Sequence, residues 1–544
     1  MKLRYRTTAN DIDDRPLCAA CLSEFRPVTQ DELFTIINKT PTKSCQLDPL
    51  PTWLLKKHIS SFLPILTDIV NASLTTGVFP GVLRDAVVTP ILKKSSLNKE
   101  VLKNYRPVSN IRYLGKLIET VVSNQTTEYI QQFSLSEPLQ SAYKAQHSTE
   151  TALLYVQNYI LRAIDHGKAV FLVLLDLSAA FDTLDHNIML TRFQSRYGIT
   201  GTALRWFSSY FRGRTNRVSI AGACSNTNSL DYGVPQGSVI GPRSFTMYMA
   251  PVGDILRKHD IKFHMYADDI QIFLDFDPTI PGEAVCCLHK LSSCISDVQK
   301  WMLCNKLKLN EDKTEFFIAS SPHHKQYLQN VTLNINDTAI KPVSTVRNLG
   351  VIFNDTMTMS QHVNTVCRSV NYHIRNIGKI RKYIDYDTCH AAARALVLSR
   401  LDYCNSLLNC ITQKDLIRLQ KLQNNAARLI HLKPKRTHSS PLLDELHWLP
   451  VHQRIIYKTA LIMYKTVSDI SPYYLSSSLD LSGPKRRGLR SQHNLNIPRT
   501  FKKAGDQAFS VAGPRVWNCL PIQIRNSKST DLFKKQLKTY LYPL

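Results

Sequence analysis

A chain of 544 residues is too long for one ordinary domain, and about two to four are expected. Hydrophobic residues make up 43%, ample for packed cores, while 68 Lys and Arg against 42 Asp and Glu leave a net charge of +26 that favours a polyanionic partner. No run reaches the roughly twenty apolar residues of a membrane span, and 13 scattered cysteines with no secretory leader at Met1 suit a reducing compartment.

Residues 1 to about 30 are polar and irregular. Cys18-x-x-Cys21 is half of a zinc site, but no second Cys or His pair follows at ligand spacing, so it reads as non-metal. From Asp31 the pattern turns helical through Leu33, Ile36 and Ile37, then Leu54, Leu55 and Ile59, with Pro49 and Pro51 punctuating the run. Val87 to Leu92 predicts a short strand running into Lys93 and Lys94. An amphipathic helix over Leu114 to Phe133 follows Asn104-Tyr105-Arg106-Pro107. Ala169 to Leu177 is a continuous apolar, β-branched-rich run, the pattern of a strand buried on both faces. Gly233 to Gly241 is a Gly/Pro-marked loop.

The runs Ile261 to Met265 and Ile270 to Leu274 predict a hairpin with Tyr266-Ala267-Asp268-Asp269 at its tip. Residues 286–308 read as helix, and Leu333 to Ile335, Ala339 and Leu349 to Phe353 as short strands. Beyond Met357 the periodicity is helical, with Leu416, Leu419, Leu422, Ala426 and Leu429 forming one stripe and Lys and Arg the other faces. From residue 411 onward there are 23 Lys and Arg against 7 Asp and Glu, more than half of the whole excess. Lys433-Pro434-Lys435-Arg436 and Lys485-Arg486-Arg487 are its densest points, each readable as a polyanion contact or an exposed loop.

Carboxylates are acceptor-only and repel each other when ionised, so the adjacent Asp268 and Asp269 point to a hard divalent cation held through oxygen. Asp176, at the end of the buried run, is a third candidate, because active groups gather where strands open toward a cleft. The plain alternative for Asp176 is a helix cap on Ser178-Ala179-Ala180. If its strand lies beside the hairpin, the carboxylates converge, and two Mg²⁺ ions would activate an attacking hydroxyl and stabilise leaving pyrophosphate.

Asp176-Leu177-Ser178-Ala179-Ala180-Phe181-Asp182, then Gly233-Val234-Pro235-Gln236-Gly237-Ser238, then Tyr266-Ala267-Asp268-Asp269 resemble the ordered palm motifs of reverse transcriptases. Ser44-Cys45-Gln46-Leu47-Asp48-Pro49, Asn104-Tyr105-Arg106-Pro107-Val108-Ser109, Leu184-Asp185-His186 and Asn348-Leu349-Gly350-Val351 narrow the resemblance to LINE-type, non-LTR retrotransposons of the jockey-like group. The similarity runs from about residue 26 to the C-terminus.

The resemblance implies an α+β right-hand polymerase. After an irregular segment (1–25) it places fingers and the start of the palm (26–168), then the palm with the catalytic motifs and a primer-grip hairpin (169–356). A helical thumb (357–432) and a basic helical C-terminal extension (433–544) complete it. It implies RNA-directed DNA synthesis from dNTPs on template RNA and primer DNA, with two Mg²⁺ (or Mn²⁺) held by Asp176, Asp268 and Asp269 and the Leu177 carbonyl. Lys94, preferred over Lys93, and Arg106 would contact the triphosphate, where a guanidinium fork matches phosphate oxygens.

Phe181 would block a 2′-hydroxyl by shape, Gln236 and Gly237 would track nucleotide and template, and Lys313 would protonate pyrophosphate. Leu349, Gly350 and Val351 would grip the primer. The implied setting is intracellular, in nucleus and cytoplasm as a ribonucleoprotein; no membrane is involved and the residues do not set an oligomeric state. No apurinic-type endonuclease fits before residue 26, and neither a ribonuclease H acidic set nor cysteine knuckles follow the thumb, so a polymerase unit without its nickase is expected. The alternative is a catalytically inactive, retroelement-derived nucleic-acid-binding protein. An RNA-dependent RNA polymerase is disfavoured by Phe181 and by Tyr266-Ala267 before the Asp pair.

Overall fold

The structure is a computed structural model that describes residues 19–542, apart from 44, 179, 336–337, 410 and 482–493. Cys18 and Lys485-Arg486-Arg487 therefore lie outside the described residues. The chain divides into two compact units built from interleaved segments. One comprises Met1–Tyr143, Asp176–Asp260 and Cys294–Glu311; the other comprises Lys144–Leu175, Ile261–Ser293 and Asp312–Leu544. These units cut across a linear division into fingers, palm, thumb and extension.

The strands in chain order begin with β1 (Asp85–Leu92), β2 (Tyr105–Ile111), β3 (Ala169–Leu175) and β4 (Arg214–Ile220). Short β5 (Ala223–Cys224) and β6 (Asn228–Leu230) precede β7 (Lys262–Tyr266), β8 (Asp269–Phe276) and β9 (Glu315–Ala319). Two further pairs follow, β10 (Leu333–Ile335) with β11 (Thr338–Ile340), and β12 (Thr345–Asn348) with β13 (Val351–Asn354). From Ser360 onward the described regular elements are helical, as the periodicity predicts.

In the first unit the sheet runs β2-β1-β4-β5, with β6 also on β4. The strand β2 has no counterpart in the sequence reading, because Pro107 argues against a strand. It is an edge strand, where a missing N–H is tolerated, and Pro107 sits opposite Pro90.

The second unit holds the sheet β7-β8-β3-β9. Every residue of β3 but Leu174 is buried, as expected of a strand covered on both faces, and Phe171 stacks on Phe276 of β8 at 4.1 Å. The helix Thr149–Asp165 covers the sheet, its N-terminus closed by a capping box between Ser148 and Thr151. The C-terminal region packs back on that helix. Tyr474 Oη bonds Thr151 Oγ1 at 2.9 Å, Ser510 N donates to Asn158 Oδ1 at 2.9 Å, and the buried Asp165 accepts from Phe501 and Lys502 amides at 2.8 Å each. The basic tail is thus part of this unit's core, while its loop Lys433–Arg436 stays exposed.

His264 of β7 is buried between Tyr155 and Tyr474, and desolvation pushes its imidazole down to about 3. The unfolded chain takes up this proton near pH 6.5 and the folded one does not, so stability falls as pH drops from about 6.5 toward 3. The slope is about 1.4 kcal/mol per pH unit for this one group. Buried His362, held down to about 4 by the same cause, adds to the slope. Denaturant titrations at pH 7, 6 and 5 should show that loss, and His264→Phe should flatten it; an unchanged slope would count against the burial of a neutral imidazole.

Candidate active site

The carboxylate hairpin belongs to the second unit. Tyr266 pairs with Asp269, so Ala267 and Asp268 form a two-residue loop between β7 and β8. Ala267 has φ 56, while Asp268 is not among the positive-φ residues, the signature of a turn whose first central position favours glycine. An alanine held there stores strain of order 1–3 kcal/mol, the kind that concentrates at functional loops. Asp268 is half-buried and Asp269 exposed. β8 pairs antiparallel with β3, Ile270 opposite Leu175, and Asp176 is the next residue of the chain after that pair.

The whole first motif, Asp176 included, lies in the first unit. The expected strand stops at Leu175, and Leu177 makes an isolated bridge to Leu309. Its two hydrogen bonds run from Asn310 N to the Asp176 carbonyl (2.8 Å) and from Ser178 N to the Lys308 carbonyl (2.9 Å), so neither uses the Leu177 carbonyl. Asn310 Nδ2 reaches Asp176 Oδ2 at 3.4 Å.

Phe181 stacks on Phe245 at 4.6 Å and 24°, which fixes the plane of its ring. The loop at 233–241 is laced to this turn: Gly233 N donates to the Leu184 carbonyl (2.8 Å), Val234 N to the Phe181 carbonyl (2.9 Å), and Gln236 Nε2 to Asp182 Oδ1 (3.0 Å). The Asp182 carboxyl is pushed up by desolvation, while Gln236 and Lys93 pull it back. Gly237, at φ 128, lies so close to β2 that a Cβ would meet the Ser109 carbonyl at 2.7 Å; Ser109 N in turn donates to the Gln236 carbonyl at 2.7 Å.

Ile91 sits opposite Arg106, and Lys93 N donates to the Asn104 carbonyl at 2.8 Å. Lys93 and Lys94 lie just beyond the end of β1 at Leu92, and Lys93 Nζ donates to the Lys103 carbonyl at 2.7 Å. Lys93 is also the lysine whose charge reaches Asp182. In the second unit, Lys313 ends the short helix Glu311–Lys313 and is exposed. Asn348 pairs with Val351, leaving Leu349 (φ 42) and Gly350 (φ 87) as the loop of the β12–β13 hairpin.

Residues 91–353 match the family described as reverse transcriptase (RNA-dependent DNA polymerase). The chain is 24% identical, over 417 aligned residues and 75% of its length, to the RNA-directed DNA polymerase from mobile element jockey of Drosophila funebris, covering 44% of it. The jockey polymerase of Drosophila melanogaster is 24% identical over 62% of this chain and 36% of its own.

Residues 91–353 thus form a reverse transcriptase segment by family match, and the chain is similar to the polymerases of jockey elements. The chain spans less than half the length of these two curated relatives. A solved structure of apo telomerase from Candida tropicalis, truncated from its C-terminal domain, overlays 52% of this chain and 55% of its own. The overlap, at TM-score 0.35 and 10% identity, is too loose to bear on the fold. The matched reverse transcriptase segment begins within β1 and ends within β13, so it takes in all three motifs and the β12–β13 hairpin.

Among the described residues no three His, Cys, Asp or Glu side chains form a group that could hold a metal ion. The donor chemistry of the domain nonetheless fits Mg²⁺, which takes oxygen ligands and is commonly held by only one or two carboxylates plus substrate phosphates. Sequence reasoning missed Glu119. It is fully buried on the helix Tyr113–Gln132 and accepts the Val239 and Ile240 amides at 2.6 and 3.3 Å, just past the Gln236-Gly237 loop. Burial pushes its carboxyl up, against pulls from Arg214 and those two amides. A lone acid inside the apolar run Leu117-Ile118-Glu119-Thr120-Val121-Val122 was the available signal.

Proposed function

We propose that the chain is an RNA-directed DNA polymerase of a non-LTR retrotransposon, adding dNTPs to a primer 3′-hydroxyl on an RNA template. The observation that carries this reading is the strained Tyr266–Asp269 hairpin, paired to the strand that runs into Asp176, inside a reverse transcriptase segment. Asp176, Asp268 and Asp269, with the Leu177 carbonyl, would hold two Mg²⁺ or Mn²⁺; bound there, the metal supplies charge stabilisation for the attacking and leaving oxygens.

The chain's own groups bind and orient. Lys94, or its neighbour Lys93, and Arg106 hold the triphosphate from the end of the β1–β2 pair. Gln236, whose Nε2 donates to Asp182 Oδ1, tracks the nucleotide and template beside Gly237. Lys313 is the proton donor to pyrophosphate, and Leu349, Gly350 and Val351 position the primer. Residues 357–432 act as a thumb, and the basic C-terminal region contacts nucleic acid.

Radiolabelled dTTP incorporation on poly(rA)/oligo(dT) with Mg²⁺ tests the reading, with loss of incorporation in EDTA as the control. Binding of primer–template without extension would favour the inactive nucleic-acid-binding alternative. Phe181 supplies a selectivity test. Its ring is backed by Phe245, so Phe181→Val opens space at the sugar, and rNTP use relative to dNTP should rise by roughly 10- to 100-fold, the range that shape alone discriminates. An unchanged rNTP/dNTP ratio in direct competition would remove the gate assignment.

A further inference from the structure

We propose that Tyr403 and the buried Gln271–Asn348 pair are positioning residues that hold the primer hairpin in register with the carboxylate hairpin; the proposal rests on the polymerase reading above. All of these groups lie in the second unit. Gln271 is on β8, two residues after Asp269, and is 1% exposed. Its Oε1 accepts from Nδ2 of Asn348, 2% exposed, at 2.7 Å. Asn348 is the last residue of β12 and immediately precedes the Leu349–Gly350 loop. One side-chain bond therefore ties the strand leaving Asp268-Asp269 to the strand entering the primer loop.

An apolar pair of similar size would fill this space at little cost in stability, since replacing both partners of a buried hydrogen bond by apolar groups of the same shape can be nearly neutral. What the amides add is direction: an unmade buried bond is penalised, so one arrangement of the two strands is selected over sliding alternatives. Tyr403 makes the second tie. Its hydroxyl donates to the Leu349 carbonyl at 2.7 Å, and its ring lies against Gly350, where an added Cβ would be 3.3 Å from ring atoms. This holds a leucine in left-handed backbone at φ 42, a conformation that costs energy unless its surroundings impose it. The Gln271–Asn348 bond thus joins the two hairpins in the core, and Tyr403 fixes the shape of the primer loop that this bond places.

A primer 3′-hydroxyl reacts only from near-attack distance, and a misplacement of about 1 Å can cost on the order of 10²-fold in rate. The ties should therefore act on turnover and leave nucleotide binding alone. The test compares wild type, Tyr403→Phe and the double variant Gln271→Leu/Asn348→Leu on poly(rA)/oligo(dT). Tyr403→Phe removes one hydroxyl from a residue that is 42% exposed, so folding is preserved. The double variant replaces both amides, so neither is left unpaired.

Expected for both is a kcat lowered by roughly 10-fold or more, with KM for dTTP and Kd for primer–template within about twofold and Tm little changed. Amide hydrogen exchange in β12–β13 should also accelerate. Wild-type kcat in both variants would overturn the proposal, as would parallel loss of kcat, KM and Tm confined to the double variant, which is mere destabilisation. If wild type itself fails to extend, the polymerase reading fails instead. Hydrogen exchange then judges the tie alone, with unchanged protection of β12–β13 in Tyr403→Phe refuting it.

Discussion

Asp268→Asn should cut dTTP incorporation on poly(rA)/oligo(dT) by roughly 10³-fold, about 4 kcal/mol of transition-state stabilisation. Asn keeps the size and shape of the side chain in the two-residue loop, and the positive φ belongs to Ala267, so the hairpin should form unchanged. What is lost is one negative charge among acidic neighbours. Because Asp268 and Asp269 repel each other, removing one charge should leave the melting temperature equal or slightly higher while activity disappears. That opposition of stability and activity marks a residue kept for chemistry. Primer–template affinity should change by less than about twofold, since a single charge is altered. Equal incorporation by variant and wild type would end the assignment of this hairpin as the metal-binding centre.

Glu119→Ala should destabilise the protein by about 1–3 kcal/mol, the cost of leaving buried backbone N–H groups without their acceptor. The carboxylate is the acceptor for Val239 N and Ile240 N, and the charge of the buried Arg214 guanidinium, 1% exposed, acts on it. Arg214 lies over the Tyr210 ring at 4.5 Å and donates to the Tyr210 carbonyl at 3.0 Å, so it cannot turn away to water without unpacking that ring. Glu119→Gln, which retains an acceptor, should lose less. Urea midpoints for the three proteins measure the order, and a loss under about 1 kcal/mol in the Ala variant would show that the two amides find another acceptor. Since these amides begin two residues after Gly237, the Gln variant should also raise KM for dNTP.

Much of the site was legible because its chemistry and its local structure share the same residues. Tyr266-Ala267-Asp268-Asp269 is flanked by β-branched and aromatic alternation that makes a hairpin, and the apolar run at 169–175 can only be a strand buried on both faces. The helix predicted over 114–133 forms as Tyr113–Gln132, and the stripe on Leu419, Leu422 and Ala426 is buried in the helix Gln413–Ile430. The lysine at the fingers was harder. Lys93 and Lys94 are adjacent and chemically identical, and both follow the last paired residue of β1, Leu92, so neither residue type nor strand alternation separates them. The strand β2 escaped notice because a proline is acceptable or not according to whether the strand lies at an edge, which neighbouring letters do not say.

The amino-acid order by itself determined the motifs, the carboxylates, the hairpin, the buried strand and the family they resemble. Each of these depends on residue type at short spacing and on periodicities of two or 3.6. Only the tertiary structure decided that Glu119 carries the amides beyond the Gln236 loop, and that the basic tail closes on Asn158 and Asp165. It likewise decided that Gln271 meets Asn348, 77 positions away in the chain. These are buried polar pairings between distant segments. A polar side chain in an apolar stretch announces only that it needs a partner; which partner it finds is set by how the strands and helices pack.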